Sequence, residues 1–272
     1  SGKCGRRFSK IHQITPKRQS KCLIHDGQNR HLTVQKKWLG ICQSVWYNAT
    51  VQLVKKYNYA ELKRKEGDTR LYLTPDGEAL PSVTSILSKT KDKSFLKKWR
   101  AKVGEEEAEK IIRDSAKIGT ALHLYIERFV NGDKYKDLTD VGVQAEKMAQ
   151  KIIDEAFSDI TEIWGSEVHL YSPGKYAGTT DMVGVYKDRP TIIDFKQTNR
   201  PKKREWVQDY LMQLAAYAQA HNELFNTEIE QGVVLMCSRD LTFQRFELTG
   251  ENFVRATNAF MKKLDAYNAS II

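Results

Sequence analysis

One short run of the sequence carries most of the structural information: Thr191-Ile192-Ile193-Asp194-Phe195-Lys196. Its β-branched and aromatic composition is typical of a strand, in which successive side chains point to opposite faces. Asp194 and Lys196 therefore share one face, with Cα atoms roughly 6 to 7 Å apart. The run predicts a strand that buries apolar side chains on one face and presents an acid and an amine on the other.

Two further strands precede this run. Tyr176–Tyr186 and Glu167–Tyr171 have strand-like patterns, and turn sequences at 172–174 and 187–190 separate the three segments. Short turns join antiparallel neighbours, so the three segments predict an antiparallel meander. Asp181 of the middle strand is then expected to lie beside Asp194.

The rest of the chain after residue 68 alternates between helical and strand patterns. Helices are predicted over Pro81–Leu87, Gly104–Val130, Val141–Phe157, Trp206–His221 and Phe253–Tyr267, and strands over Leu71–Leu73, Gly232–Ser238 and Leu241–Leu248. The fold class is therefore expected to be α/β (α+β mixed), a central mixed sheet with a three-stranded antiparallel meander flanked by helices.

The basic charge of the chain is concentrated at its beginning. The net charge over 272 residues is +10, but residues 1–40 hold ten Lys or Arg against Asp26 alone, which leaves +1 for the remainder. We expect residues 1–45 to be a basic tail outside the fold and residues 46–272 to form one domain. The tail either holds nucleic acid or is a solvated arm. No run is apolar enough to cross a membrane.

Asp181, Asp194 and Lys196 suggest phosphodiester chemistry. Two adjacent carboxylates repel each other unless a cation lies between them, and hard oxygen ligands select Mg²⁺ or Mn²⁺. Such an ion neutralises phosphate charge and activates water, while the lysine orients the water or the phosphate. Taken alone, Asp-x-Lys is a weak signal, because a lysine on a strand is more often a surface charge.

Other residues extend the candidate site. On the long helix, Gly119 and His123 share one face, and the glycine leaves room for a ligand or a strand. A later helix presents Gln213 and Tyr217 on one face, although such a pair is more often ordinary packing. Directly after the proposed strand comes a basic run that could hold a polyanion or simply be a solvated loop; its members are Lys196, Arg200, Lys202, Lys203 and Arg204.

The order of these motifs resembles a known family. Gly119-x-x-x-His123, Glu167, Asp181, Asp194-x-Lys196 and Gln213-x-x-x-Tyr217 follow one another as in the RecB-like branch of the PD-(D/E)XK nucleases, and most closely as in the mitochondrial genome maintenance and phage exonucleases. The resemblance covers residues 68–268, with core motifs at 119–217. It implies a restriction-endonuclease-like core.

The resemblance also implies roles for individual residues. Asp181 and Asp194 would bind Mg²⁺ or Mn²⁺, with His123 and the main-chain carbonyl of Phe195 as further ligands, and Lys196 would assist catalysis. Glu167, Gln213 and Tyr217 would support the site or the DNA strand. Some relatives carry an iron–sulfur cluster on one upstream and three downstream cysteines; here Cys237 alone lies downstream, so we expect no iron–sulfur cluster.

The leading hypothesis is a metal-dependent exonuclease that prefers single-stranded DNA ends and acts in replication, recombination or repair. An endonuclease of the same fold, a non-catalytic nucleic-acid-binding module and a two-carboxylate glycosidase are the alternatives. The chain starts at Ser1 rather than Met, so its natural start is expected to lie elsewhere or to be processed. We expect the cytoplasm of a bacterial or phage-infected cell, with mitochondria as the alternative, because an arginine-rich leader resembles a transit peptide but shows no amphipathic helix. The oligomeric state stays open.

Overall fold

The structure is a computed structural model that describes residues 29–37 and 46–271, with side chains described from residue 51 onward. The strands are β1 (Asn29–Lys37), β2 (Trp46–Val54), β3 (Lys63–Lys65), β4 (Leu71–Leu73), β5 (Ala79–Pro81), β6 (Ile160–Ser172), β7 (Tyr176–Tyr186), β8 (Arg189–Thr198), β9 (Gly232–Ser238) and β10 (Phe243–Leu248). The helices are α1 (Val83–Lys89), α2 (Ser94–Val103), α3 (Glu105–Asn131), α4 (Asp140–Ala156), α5 (Gln208–Phe225) and α6 (Gly250–Ala269).

A seven-stranded mixed sheet forms the centre of the molecule, in the order β1-β2-β6-β7-β8-β9-β10. Strands β6, β7 and β8 are the predicted antiparallel meander. Strand β9 runs parallel to β8 because α5 crosses over between them, and β10 returns antiparallel to β9. The predicted fold class is confirmed.

Helices cover both faces of this sheet. On one face, α3 and α4 pack over a buried cluster that includes Ile193, Phe195 and Val233. On the other face, α1, α5 and α6 pack over a second cluster that includes Ile192 and Val234. The strict alternation along β8 therefore sends neighbouring residues into two different cores, as expected for a strand covered on both sides.

A small antiparallel sheet, in the order β3-β4-β5, stands at the edge of the domain. A parallel bridge between Ser82 and Ala177 attaches it to β7. Ser82 also caps α1, because its side chain accepts a hydrogen bond from the backbone N–H of Ser85. The turn predicted at 75–77 closes with Gly77 at φ +89°, a backbone conformation that favours glycine.

The sequence patterns missed helix α2 and strands β1, β2, β3 and β5, and they placed the start of β6 too late. Helix α2 was not predicted, although Phe95, Trp99 and Val103 recur at helical spacing; none of its residues is buried. Strand β6 begins at Ile160 rather than Glu167, because two irregularities in its pairing with β7 shift the alternation of side chains. Strand β1 lies inside the expected tail; the other tail positions, 1–28 and 38–45, lie outside the described residues.

None of the described helices combines the length and the apolar character that a membrane crossing requires.

Gly184 lies where β7 closely approaches β6. A Cβ atom at this position would be 2.1 Å from the backbone carbonyl oxygen of Glu162, so the two strands would have to separate. We expect Gly184→Ala to lower the free energy of unfolding by about 3 kcal/mol, the cost of overpacking against a rigid neighbour. Urea denaturation measures this change.

The matched control is Gly67→Ala, because an added methyl group there would lie 3.8 Å from the nearest atom, Thr69 O. We expect an unfolding midpoint close to that of the wild type for this control. Equal midpoints for the two variants would contradict the close β6–β7 approach.

Candidate metal-binding active site

Strands β7 and β8 separate at the centre of the sheet. Their pairing extends only to Met182 and Ile193. Beyond that pair, the Asp181 carboxylate accepts a hydrogen bond from the backbone N–H of Phe195, with Oδ2 2.7 Å from the nitrogen. The side chain thus replaces the missing strand partner and leaves an opening between the two strands.

Three potential metal ligands meet at this opening: His123 of α3, Glu167 of β6 and Asp181 of β7. Nδ1 of His123 lies 3.5 Å from Asp181 Oδ2 and 3.7 Å from Glu167 Oε1. One ligand atom from each residue lies within 4.8 Å of the other two. We call these three residues the metal cluster.

Glu167 adopts an unusual backbone conformation, with φ at +52°. Side-chain-bearing residues rarely occupy this left-handed region, which costs energy that the surrounding structure must supply. Strain of this kind concentrates at functional sites. The sequence analysis gave Glu167 only a supporting role, whereas the structure places its carboxylate within the metal cluster.

Asp194 is the most buried acid near the site, with 2% of its surface exposed. Its Oδ1 accepts hydrogen bonds from Lys196 Nζ at 2.6 Å and from Gln213 Nε2 at 3.2 Å. Its Oδ2 is buried without a hydrogen-bond partner. Burial raises the pKa of Asp194 to about 6, and the negative charge of Asp181 adds to this, although Lys196 opposes it.

Lys196 is held in its charged form. Its burial disfavours the ammonium ion, but the carboxylates of Asp194 and Asp181 outweigh that effect and raise the pKa of the lysine. Its Nζ also lies 3.3 Å from the main-chain oxygen of Phe195 and 5.4 Å from the centre of the Tyr210 ring. The Phe195 carbonyl expected to bind metal therefore accepts a hydrogen bond from Lys196.

His123 shows the same balance of opposing effects. Burial lowers its pKa, but the nearby carboxylates of Asp181 and Glu167 raise it, and the net change is upward. A metal-bound histidine must be neutral, so an ion would compete with a proton at this ring.

These residues fit a divalent cation. Carboxylate oxygens with one imidazole suit Mg²⁺ or Mn²⁺, and a buried carboxylate oxygen without a partner is a group that a cation would satisfy. The structure brings Asp181 together with His123 and Glu167, while Asp194 lies outside this tight cluster and faces Lys196 and Gln213. The charge of Asp181 still acts on Asp194, where it contributes to the raised pKa of that carboxyl group.

Tyr217 and Gly119 lie close to the site without touching the metal cluster. The hydroxyl of buried Tyr217 packs against Gly178 of β7, where an added Cβ would lie 2.6 Å from it, so only glycine fits. At Gly119 an added Cβ would lie 3.8 Å from Gln197 Cγ, an ordinary contact. An alanine at position 119 would therefore not clash with the described residues.

The predicted basic run begins at Lys196 within β8, continues as a loop after the strand and leads into a short 3₁₀ turn at Arg204–Val207. Arg200 and Lys203 are exposed, Lys202 is half-buried, and the Arg204 guanidinium donates a hydrogen bond to the main-chain oxygen of Glu247. The backbone N–H of Lys202 donates to Gln244 Oε1. The loop is thus fixed at the carboxyl end of β8.

Tyr210 is a site residue that the sequence patterns did not indicate. It is half-buried on α5, and its ring faces the Lys196 ammonium group. Its position one helical turn before Gln213 could have indicated this, because residues three apart share a helix face.

Comparisons with known proteins show distant similarity to an exonuclease. The chain is 24% identical over 179 residues to mitochondrial genome maintenance exonuclease 1 of Xenopus tropicalis, which covers 59% of this chain and 49% of that protein. The chain thus spans about half the length of this curated relative. No family model matches the chain.

Two solved structures align with parts of the fold. A candidate exonuclease from Eubacterium rectale aligns over 58% of this chain and 69% of its own, with 13% identity and a TM-score of 0.43. A second structure aligns over 61% and 68% of the two chains, with 16% identity and a TM-score of 0.32.

The burial of Asp194 predicts a pH-dependent stability. A folded-state pKa raised from 3.8 to about 6 means that the stabilising contribution is complete below pH 3.8 and is lost as pH rises through about 6. Asp194→Asn cannot ionise. We therefore expect the free energy of unfolding of the variant, relative to that of the wild type, to increase by about 2 to 3 kcal/mol as the pH rises between these two values in EDTA.

Urea unfolding at several pH values measures this difference. The control is Asp265→Asn, the same chemical change at an exposed position of α6. The difference in free energy of unfolding between this control and the wild type is expected not to change with pH. A constant difference for Asp194→Asn as well would show that Asp194 ionises normally.

Proposed function

We propose that this chain is a divalent-metal-dependent deoxyribonuclease that hydrolyses phosphodiester bonds as an exonuclease, with a preference for single-stranded DNA ends. The observation that carries the proposal is the opening between β7 and β8. There, His123, Glu167 and Asp181 form the metal cluster, and the nearby buried Asp194 binds the Lys196 ammonium group through one carboxylate oxygen while its other oxygen has no partner.

The metal-binding residues would be His123, Glu167, Asp181 and the free Oδ2 of Asp194. Bound Mg²⁺ or Mn²⁺ would supply a Lewis acid for the phosphate and a hydroxide-like nucleophile near neutral pH. The hydrogen bond from Phe195 N–H fixes Asp181, and the one from Gln213 fixes Asp194. Both carboxylates are therefore positioned before any ion arrives.

Lys196 would act on the substrate phosphate. Its ammonium group is charged at neutral pH and is held by Asp194 at the rim of the opening, with a fifth of its side chain exposed. A fixed positive charge there stabilises the negative charge that develops on a phosphate oxygen during hydrolysis. It also orients an attacking water molecule through its N–H donors.

The exonuclease activity and the DNA substrate are supported by the similarity to a mitochondrial genome maintenance exonuclease. The basic loop after β8, with Arg200, Lys202 and Lys203, supports a polyanionic substrate. We propose that such an activity serves replication, recombination or repair. The compartment, bacterial cytoplasm or mitochondrion, stays a prediction, as does the absence of an iron–sulfur cluster.

Activity measurements test this proposal directly. We expect the purified protein to shorten end-labelled linear single-stranded DNA with Mg²⁺ or Mn²⁺ and to lose this activity in EDTA. Lys196→Ala and Asp194→Asn should each lower the rate at least about 100-fold, the usual cost of removing a group that stabilises transition-state charge.

Lys147→Ala is the control, because this lysine is exposed on α4 on the opposite face of the sheet from α5. It should retain the wild-type rate. Cleavage of closed circular single strands would favour the endonuclease alternative, and an undiminished rate in Asp194→Asn would refute the proposal.

Metal binding can be measured without turnover. Because an ion that binds only the folded state stabilises it, we expect Mn²⁺ to raise the melting temperature of the wild type. His123→Ala and Asp181→Asn should reduce this increase, whereas Asp265→Asn should preserve it. An equal increase in all four proteins would place the ion elsewhere.

A further inference from the structure

Positively charged side chains lie close together near the start of α5 and in the segment after α1. Lys91 Nζ lies 2.5 Å from Asp209 Oδ2. Burial lowers the pKa of half-buried Lys202, and the positive charge of Lys91 adds to this effect. Lys202 has no ion-pair partner among the described residues. Lys91 and Lys202 together carry more positive charge than Asp209 neutralises, and an anion would neutralise the excess.

An exposed tryptophan lies next to this charge. Trp206 belongs to the 3₁₀ turn at Arg204–Val207 and has 58% of its surface exposed. The backbone N–H of Trp206 donates to the main-chain oxygen of Lys203, and Lys203 Nζ lies 5.7 Å from the centre of the indole ring. Val207 beside it is fully buried, so the turn is anchored while the indole projects outward.

Tyr210 connects this surface to the active site. Its ring faces Lys196, and the preceding residue, Asp209, binds Lys91. The pKa of Tyr210 is raised chiefly by burial, and the charges of both Lys196 and Lys91 act on it. The charged surface therefore begins at the rim of the opening between β7 and β8.

The chain beyond Lys91 is also basic and carries exposed aromatic residues. Between residues 91 and 103 it carries a single acid, Asp92, and its other charged residues are basic. No residue of α2 is buried, and Phe95 is 79% exposed. Exposed aromatic rings interleaved with lysines are typical of surfaces that bind single-stranded nucleic acid, since every base can stack on a ring.

We propose that Lys91, Lys202 and Trp206 form a track for single-stranded DNA. The two lysines bind a backbone phosphate, and the indole stacks on an unpaired base as the strand enters the hydrolytic site. This inference rests on the proposed nuclease function and gives its strand preference a physical cause. Paired bases in a duplex are stacked on each other and offer no free face to Trp206.

The first experiment changes the DNA as well as the protein. Binding of a fluorescent thymidine oligomer of about 12 nucleotides is measured by anisotropy in EDTA and compared with an abasic oligomer of equal length and charge. We expect the wild type to bind the thymidine oligomer about ten-fold more tightly, the value of one stacked base. Trp206→Ala should lose this discrimination, and Trp206→Phe should keep part of it.

The control for lost apolar surface is Leu138→Ala, because Leu138 is 78% exposed and lies between α3 and α4 on the other side of the sheet. It should discriminate as the wild type does. If the wild type binds both oligomers equally, or Trp206→Ala still discriminates, the stacking contact does not exist.

The second experiment tests the phosphate contact. Replacing Lys202 by Gln should lower the slope of log affinity against log salt by about one, because one phosphate contact is lost. Lys147→Gln, which makes the same change on α4, should leave the slope unchanged. Trp206→Ala should lower the affinity without changing the slope, so the two contacts are separable. An unchanged slope in Lys202→Gln would exclude this lysine from the track.

The binding experiments and the activity experiments fail in different ways. All binding is measured without metal, so it does not depend on turnover. If the protein binds as expected but hydrolyses no DNA with Mg²⁺ or Mn²⁺, the track is supported and the proposed nuclease function is refuted. If the protein hydrolyses DNA but shows no base-dependent binding, the nuclease function is supported and the track is refuted.

Discussion

The separation of β7 from β8 is the constraint on which the rest of the site depends. The two strands pair normally as far as Met182 and Ile193, and then the Asp181 carboxylate takes over the backbone N–H of Phe195. A continuous ladder would leave no room between the strands for a substrate phosphate. Since β8 is held by parallel pairing to β9 through Thr198, the strand stays rigid where it has lost its neighbour on the other side.

The charged groups at this opening stabilise one another, but their burial lowers the free energy of unfolding. Buried Asp194 has one oxygen satisfied by Lys196 and Gln213 and one oxygen without any partner. An apolar residue would cost less in this place, because burying a charge without a full set of partners is unfavourable. The retained cost, together with the strained backbone of Glu167, is typical of a site that is completed by a cation.

Both helical layers contribute to this centre. His123 reaches it from α3 on one face of the sheet, and Gln213 and Tyr210 reach it from α5 on the other. The same helix α5 links the centre to the surface around Lys91 and Lys202 through Asp209. A substrate strand bound along that surface would therefore be positioned by the element that also fixes the Asp194 carboxylate.

The sequence alone determined the strands of the meander, the long helix and the common face of Asp194 and Lys196, because these depend on local periodicity along β8 and α3. Tertiary structure decided which groups meet. Glu167 enters the metal cluster only because its backbone turns to φ +52° within an irregular strand, and Tyr210 faces Lys196 only because α5 packs across β8. Such contacts join residues far apart in the chain, and no local pattern encodes the distance between them.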